Sequence, residues 1–376
     1  MLWARLIPLI PAALVCLLVG PSVLRGHIPW FMDIVAQFYP IRYVAAESIH
    51  QGLIPLWNPT HHCGVPLLAN PQWGTLYPIN WIFFAVPNGH TFMLGYLFHH
   101  IVLASGGYWL ARALFPSRLA ALATALVLAL GGWTWAHYPF GAYLAVVCWA
   151  PWMLGCLERH AREPRAQWIV IAGILWGLQI LAGAPQALFL CSLMLGSLAV
   201  IRALTTRSLA ALRLLLGSLI LALLLTAAQW LPTVEFLGHT VRGGKLPLDE
   251  VRGGALDLVG QRSLLRALTG GNVFDPLQGE DAESTVFIGW LGLVLALMSL
   301  LPSPKSSGDG NAQSQSQSPH LSHWPYAVLL LLALLWSWST LSRPLHAVMP
   351  GYGQFHDPKR ALLVAHIALA VMIGGG

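Results

Sequence analysis

Apolar runs recur along this chain at a spacing that a soluble fold could not hide. They fall at residues 3–24, 91–113, 119–136, 142–157, 167–183, 187–201, 214–231, 285–301, 325–341 and 361–376. Of 376 residues, 56% are hydrophobic and only 9% charged. A soluble surface of this size needs more charge, since about 25% is usual. The reading is an all-α integral membrane protein with about ten transmembrane helices. Several runs are shorter than the ~20 residues of a straight span, so tilted, broken or re-entrant helices are expected. The seventeen tryptophans suit a chain that crosses many membrane–water interfaces. For residues 3–24 a signal peptide competes, with Arg5 before the apolar core. The length of that core and the poor cleavage site in LVGPSVLRG favour a retained helix.

Charge sets the orientation. The net charge of +6 is not nucleic-acid affinity, because the basic residues gather in short connections between apolar runs. Arg112 with Arg118, Arg159 with Arg162 and Arg165, Arg202 with Arg207 and Arg213, and Lys305 all become cytoplasmic if the N-terminus is inside. The loops left outside are 25–90, about 232–284, and 342–358, which carry the most unusual polar content. Residues 303–323 (SPKSSGDGNAQSQSQSPHLSH) have the composition of a flexible cytoplasmic linker. They divide a membrane domain over 1–302 from its continuation over 324–376. The chain stops at VMIGGG inside an apolar run, so a truncated C-terminal half is expected. The five cysteines form neither a disulfide framework nor a CxxC pair, and phosphate-loop, dinucleotide, HExxH and GxSxG motifs are missing from the sequence.

Within the first outside loop, the stretch 33–80 concentrates Trp, Tyr, Pro, Asn, Gln and His. Asp33 begins it, close to Gln37 and Tyr39. A carboxylate just outside the membrane can act as a general base or ligate a metal, although spacing alone favours a helix-terminal or solvated charge. Glu47 reads as a solvated helix residue. The segment IPLWNPTHHCGVP (54–66) is built rigid by three prolines, an Asn and a Gly. Trp57 there can stack on a sugar ring and Asn58 can bond its hydroxyls, and Trp57 as a headgroup anchor is the equal alternative. His61 and His62 are adjacent and point apart in an extended chain, so no metal site is assigned to them. Gln72, Tyr77 and Asn80 extend the same polar-aromatic face. In the third loop, Gln354, His356, Asp357, Lys359 and Arg360 precede the last apolar run. Lys359 and Arg360 can clamp a lipid phosphate, with interfacial snorkelling the more common use of such residues. The second loop holds Arg242, Lys245, Arg252, Asp275, Glu280, Asp281 and Glu283, and none receives a role. Gln186, Gln229 and His137 are polar groups at membrane depth, facing a cavity or a partner helix.

GLIPLWNPTHHCGVPLLANPQWGTLYPIN, YWLAR (108–112), CWAPWML, LAGAPQ, AAQWLPTVEF and ESTVFIGWLGLVLAL resemble, in that order and over nearly the whole chain, the YfhO-type bacterial membrane proteins. The resemblance implies a GT-C-like glycosyltransferase of the bacterial cytoplasmic membrane. Such an enzyme takes a sugar from a polyprenyl-phosphate carrier and passes it, with inversion, to an acceptor of the cell envelope on the extracytoplasmic side. It implies Asp33 as the catalytic base and Arg360, in QFHDPKRALL, as the preferred phosphate contact beside Lys359. The other loop residues named above then contact substrate. A divalent metal is compatible with this chemistry, and no metal ligands are assigned. His61–His62 departs from the aromatic or aliphatic residues usual in the family. Outside the resemblance, a lipid-linked sugar flippase or transporter would use Gln186, Gln229 and His137 without needing Asp33, and a non-catalytic membrane scaffold is the third class.

Overall fold

The computed structural model of the protein describes residues 6–31, 33–61, 63–240, 243–258, 262–270, 282–301 and 322–376. His62, Arg242, Asp275, Glu280, Asp281, Lys305 and nearly all of the 303–323 linker lie outside the described residues. Within them the chain is helical, with a single two-stranded ribbon pairing Trp57 with Pro66 and Asn58 with Val65.

Local sequence explains where the helices start and stop. The helix Gly89–Leu114 opens on a capping box. The Asn88 side chain accepts from the Thr91 N–H, and the Thr91 hydroxyl accepts from the Asn88 N–H. In LAGAPQ, Ala166–Ala182 ends on Gly183, which is left-handed at φ +91, and Pro185 opens Pro185–Thr206. Helix Ala210–Leu225 is followed after Thr226 by Ala227–Leu237, bent by 83°. Thr226 turns its hydroxyl back to the Ala222 carbonyl at that break, and Pro232 removes an amide donor further on. The bend lays Gln229 and Thr233 against the first loop, where they donate to the carbonyls of Leu68 and Ala69 at 2.9 Å each.

Among the described residues, five helices are long and apolar enough to cross a membrane: Ile7–Arg25, Arg118–Ala136, Gly141–Arg162, Pro185–Thr206 and Pro358–Gly375. The bent pair raises this to six. The expected ten is therefore not reached by length and composition, although a helix stands at each of the ten apolar runs. Ala166–Ala182 and Trp324–Ser337 are apolar but shorter. Trp290–Met298 has nine residues, about 14 Å of helix against a hydrocarbon core of about 30 Å. Gly89–Leu114 has the length, at 26 residues, but carries His90, His99 and His100. Large apolar side chains such as Leu17, Ile220, Leu224 and Leu291 face outward, as lipid contact demands.

The main core wraps the Gly141–Val147 and Leu362–Gly375 helices, the latter buried from Leu362 to Ile373. A second core joins Val15 and Val19 of the first helix to Ile34, Ile41, Trp73, Phe83 and Met93, so the first loop packs as part of the bundle. The basic turns gather at one end. Arg202 donates to Glu158 and to the Ser322 carbonyl, both at 2.8 Å, and Tyr326 also donates to Glu158. Arg159 lies 3.6 Å over Trp109. The three polar loops share the opposite end, through Gln229 to Leu68, Gln186 to His356, and the Leu246 N–H to Gly353.

The seam between the first loop and the bundle has no spare room at Gly183. A Cβ there would stand 2.0 Å from the Pro71 carbonyl oxygen, on a backbone that side chains avoid. Gly183→Ala is expected to cost at least about 2 kcal/mol and to expose the 51–80 stretch to proteolysis. Thermal unfolding and limited digestion in detergent check this, and an unchanged cleavage rate would refute the docking.

Candidate functional site

Two polar clusters form at the loop end, one on each side of the short Gly141–Val147 helix. The first is built on Arg360, in the 3-10 turn Pro358–Ala361 that opens the last helix. Its guanidinium makes a bidentate pair with Glu283, Nε to Oε2 at 3.1 Å and Nη2 to Oε1 at 3.3 Å. Nη1 donates to Gln186 Oε1 at 2.9 Å, Asp357 Oδ2 lies 3.4 Å from Nη2, and the Tyr143 ring centre is 5.2 Å from Cζ. Gln186 is the hinge pin of this cluster. It accepts from Arg360 and the Tyr143 hydroxyl, and its Nε2 donates to the carbonyls of His356 at 2.7 Å and Asp357 at 3.3 Å. The Gly183–Pro185 turn delivers Gln186 there by fixing where its helix begins.

Asp357 occupies the left-handed region, φ 56, and packs against Gly254, where a Cβ would meet its Oδ1 at 1.9 Å. His356 Nδ1 donates to its Oδ2 at 2.5 Å. Burial pushes the Asp357 carboxyl up. The His356 hydrogen bond and the charges of Arg360, His356 and Lys359 outweigh it and hold the pKa at about 2. Asp357 is thus ionised at neutral pH. Lys359 is 7% exposed, and its side chain has no hydrogen bond or ion pair among the described residues. Gln354 is exposed. Two acids therefore stand against two cations, and the cluster is close to neutral. His137 stacks on Trp133 with ring centres 4.3 Å apart, 6.1 Å from the Tyr143 ring, and donates from Nδ1 to the Trp133 carbonyl.

The second cluster lies under the first loop. Tyr77 is fully buried, and its hydroxyl accepts from Trp149 Nε1 at 3.0 Å and bonds His99 Nε2 at 2.8 Å. Asn80 is buried and donates to the Gly74 carbonyl at 2.9 Å. Beside them Arg42 donates from Nε to the Trp73 carbonyl at 3.3 Å and lies against the Phe38 and Phe92 rings. Tyr39 is half-buried against Phe83 and Phe92.

Asp33 sits on the segment linking the clusters. Phe31, just before it, packs edge-on to Phe140 at 4.8 Å, and Phe38, the last residue of the π-helical turn Ile34–Phe38, lines the Arg42 pocket with Gly141. The Asp33 carboxylate is half-buried and has no hydrogen bond or ion pair among the described residues. Gln37 is exposed. Trp57 is 53% exposed over Gly64, while Asn58 is buried and accepts from the N–H and hydroxyl of Thr60. Gln72 is exposed, with its N–H donating to Asn70. No hydrogen bond, ion pair or ring contact among the described residues joins Trp57, Gln72 or Gln37 to either cluster. Nor does any group of three or more His, Cys, Asp or Glu gather at metal-binding distances among them.

Sequence reasoning passed over Glu283, Tyr143 and Arg42. For Arg42 a signal exists: it is the only Lys or Arg between Arg25 and Arg112. Compared with protein families, curated proteins and solved structures, the chain matches none.

The Glu283–Arg360 pair, at 13% and 16% side-chain exposure, is the mechanical centre of the first cluster. Glu283→Gln strands a buried cation and is expected to destabilise the protein by about 3 kcal/mol. Adding Arg360→Gln should return much of that loss. Unfolding midpoints of the two single variants and the double variant in one detergent form the cycle, and strictly additive losses would dissolve the proposed coupling.

Proposed function

We propose that the protein is a membrane glycosyltransferase of the GT-C type, similar to the YfhO-type proteins. In this reading it moves a sugar from a polyprenyl-phosphate carrier to a cell-envelope acceptor. The membrane is the bacterial cytoplasmic membrane, with the N-terminus inside, about ten crossings counting short and tilted helices, and the loop end outside. The observation that carries the reading is Asp33, a half-buried carboxylate with no internal partner among the described residues, on the segment between the two polar clusters. Carboxylates used structurally accept from donors inside the fold, as both oxygens of Glu283 and Oε1 of Glu158 do here. Asp33 is left for an external hydrogen-bond donor.

The proposed step removes a proton from the acceptor hydroxyl to Asp33 as the acceptor oxygen attacks the anomeric carbon. The bond from that carbon to the phosphate oxygen breaks, and polyprenyl phosphate leaves with the electron pair as a stable anion. Little acid assistance is then needed, and one carboxylate serves where a glycoside hydrolase uses two. Lys359, a buried cation with no hydrogen bond or ion pair of its own among the described residues, is the phosphate contact on the Arg360 side. Arg360 positions it by fixing the turn. Trp57, Gln37, Gln72 and Gln354, exposed at the same end, are available to sugar and acceptor.

Asp33→Asn is expected to lower transfer by at least about 100-fold with an unchanged unfolding midpoint, because no internal bond is lost. The assay is vesicles with the loop end exposed, supplied with a labelled polyprenyl-phosphate sugar. Label joined to an acceptor supports transfer. Label moved across the bilayer without product would make the protein a transporter, and undiminished product from the variant would remove Asp33 from the chemistry.

A further inference from the structure

Arg42 is a half-buried cation with no carboxylate beside it among the described residues. Arg360 is balanced by Glu283, Arg202 by Glu158, and Arg165 by Glu163. Arg42 has no carboxylate partner among the described residues; its Nε donates to the Trp73 carbonyl, and its Cζ stands 6.0 Å from the Phe38 ring centre and 5.7 Å from that of Phe92. A half-buried charge in that setting is costly unless an opposite charge answers it. Ring contact offsets only part of the cost.

The pocket around it contains nothing else that is charged. Asn80 holds Gly74, Thr91 holds the Val86 carbonyl, and His99 is engaged by Tyr77. The enclosed space is about 20 Å³, room for one water molecule. That space is too small for a phosphate group, so an anion that meets this guanidinium must do so from outside it. The planar fork of an arginine fits the oxygens of a phosphate group two at a time. The helix Tyr39–His50 carries Arg42 at the loop end of the bundle, with Tyr43 and Ile49 exposed.

We propose that Arg42 and its pocket form a phosphate-binding site, separate from the Arg360 cluster, that takes a phosphate group carried on a lipid or free in solution. Binding there does not depend on the transfer reaction, so its failure and the failure of the glycosyltransferase reading are separate results.

The test uses the full chain in a maltoside detergent. Phenylglyoxal modifies accessible guanidinium groups, and peptide mass mapping reads each arginine in the unaltered protein, so no variant has to fold. Dodecyl phosphate below its micelle concentration is expected to slow modification of Arg42 about tenfold at saturation, with Arg112 and Arg207 unaffected. Protection by inorganic phosphate as well would identify a free phosphate site, and protection by the alkyl phosphate alone a lipid-borne one. Equal modification with and without both probes overturns the proposal. As a second measurement, dodecyl phosphate binding by calorimetry should weaken about tenfold or more in Arg42→Gln and recover in part in Arg42→Lys. Equal affinity in all three proteins also overturns it.

Discussion

The Glu283–Arg360 pair is the joint on which the loop end turns. A buried ion pair compensates for lost hydration only when its remaining donors and acceptors are also met. Gln186, Asp357 and the Tyr143 ring meet them here, and each belongs to a different element. The pair therefore ties the 282–284 turn, the start of Pro185–Thr206, the Gly141–Val147 helix and the opening of the last helix to one point. Because the last helix is buried along nearly its whole length, fixing its first turn fixes the central post of the bundle. Asp357 tolerates a left-handed backbone in this setting, held by Arg360 and His356.

The first loop is rigid for a related reason. Long irregular chain must satisfy its peptide groups without a ladder of its own. The bundle supplies Gln229 and Thr233 to Leu68 and Ala69, and the loop itself supplies Trp81 to Thr75 and Arg42 to Trp73. The loop's own Asn70 and Asn80 close its turns. Polar residues that look in sequence like a binding face thus include several that turn inward, Asn58 and Asn80 among them. The apolar body of Tyr77 is buried for the same reason, with its hydroxyl satisfied by Trp149 and His99.

Much of the architecture was legible because it rests on short-range rules. Each of the ten apolar runs holds a helix, because an apolar segment in such a chain must satisfy its own backbone groups. The separation of basic turns from polar loops followed from charge placement alone. The number of crossings was less legible, since an apolar run reports burial or lipid contact without reporting helix length. The run at 285–301 keeps only nine helical residues, Trp290–Met298, because Thr285–Ile288 bends to meet the Gly132 turn, where the Gly132 N–H donates to the Phe287 carbonyl. Glu283 was illegible because its partner lies 77 positions away. Arg42 was hidden for the opposite reason. An arginine on an amphipathic helix resembles a solvated one, and only its isolation between Arg25 and Arg112 set it apart.

The two loop-end arginines show what burial does to a charge. Arg360 sits among acids, so an arriving phosphate would compete with Glu283 and Asp357 for the same donors. Its pairing makes it a good fixture and a poor landing place. Arg42 has rings where Arg360 has carboxylates. Rings lower the cost of a bare cation without neutralising it, and they leave the guanidinium edge free. A bundle that carries both can hold its shape with one cation and meet an anion with the other. The Gly141–Val147 helix, with Tyr143 facing Arg360 and Gly141 and Ala142 facing Arg42, is the wall that keeps the two charges in separate environments.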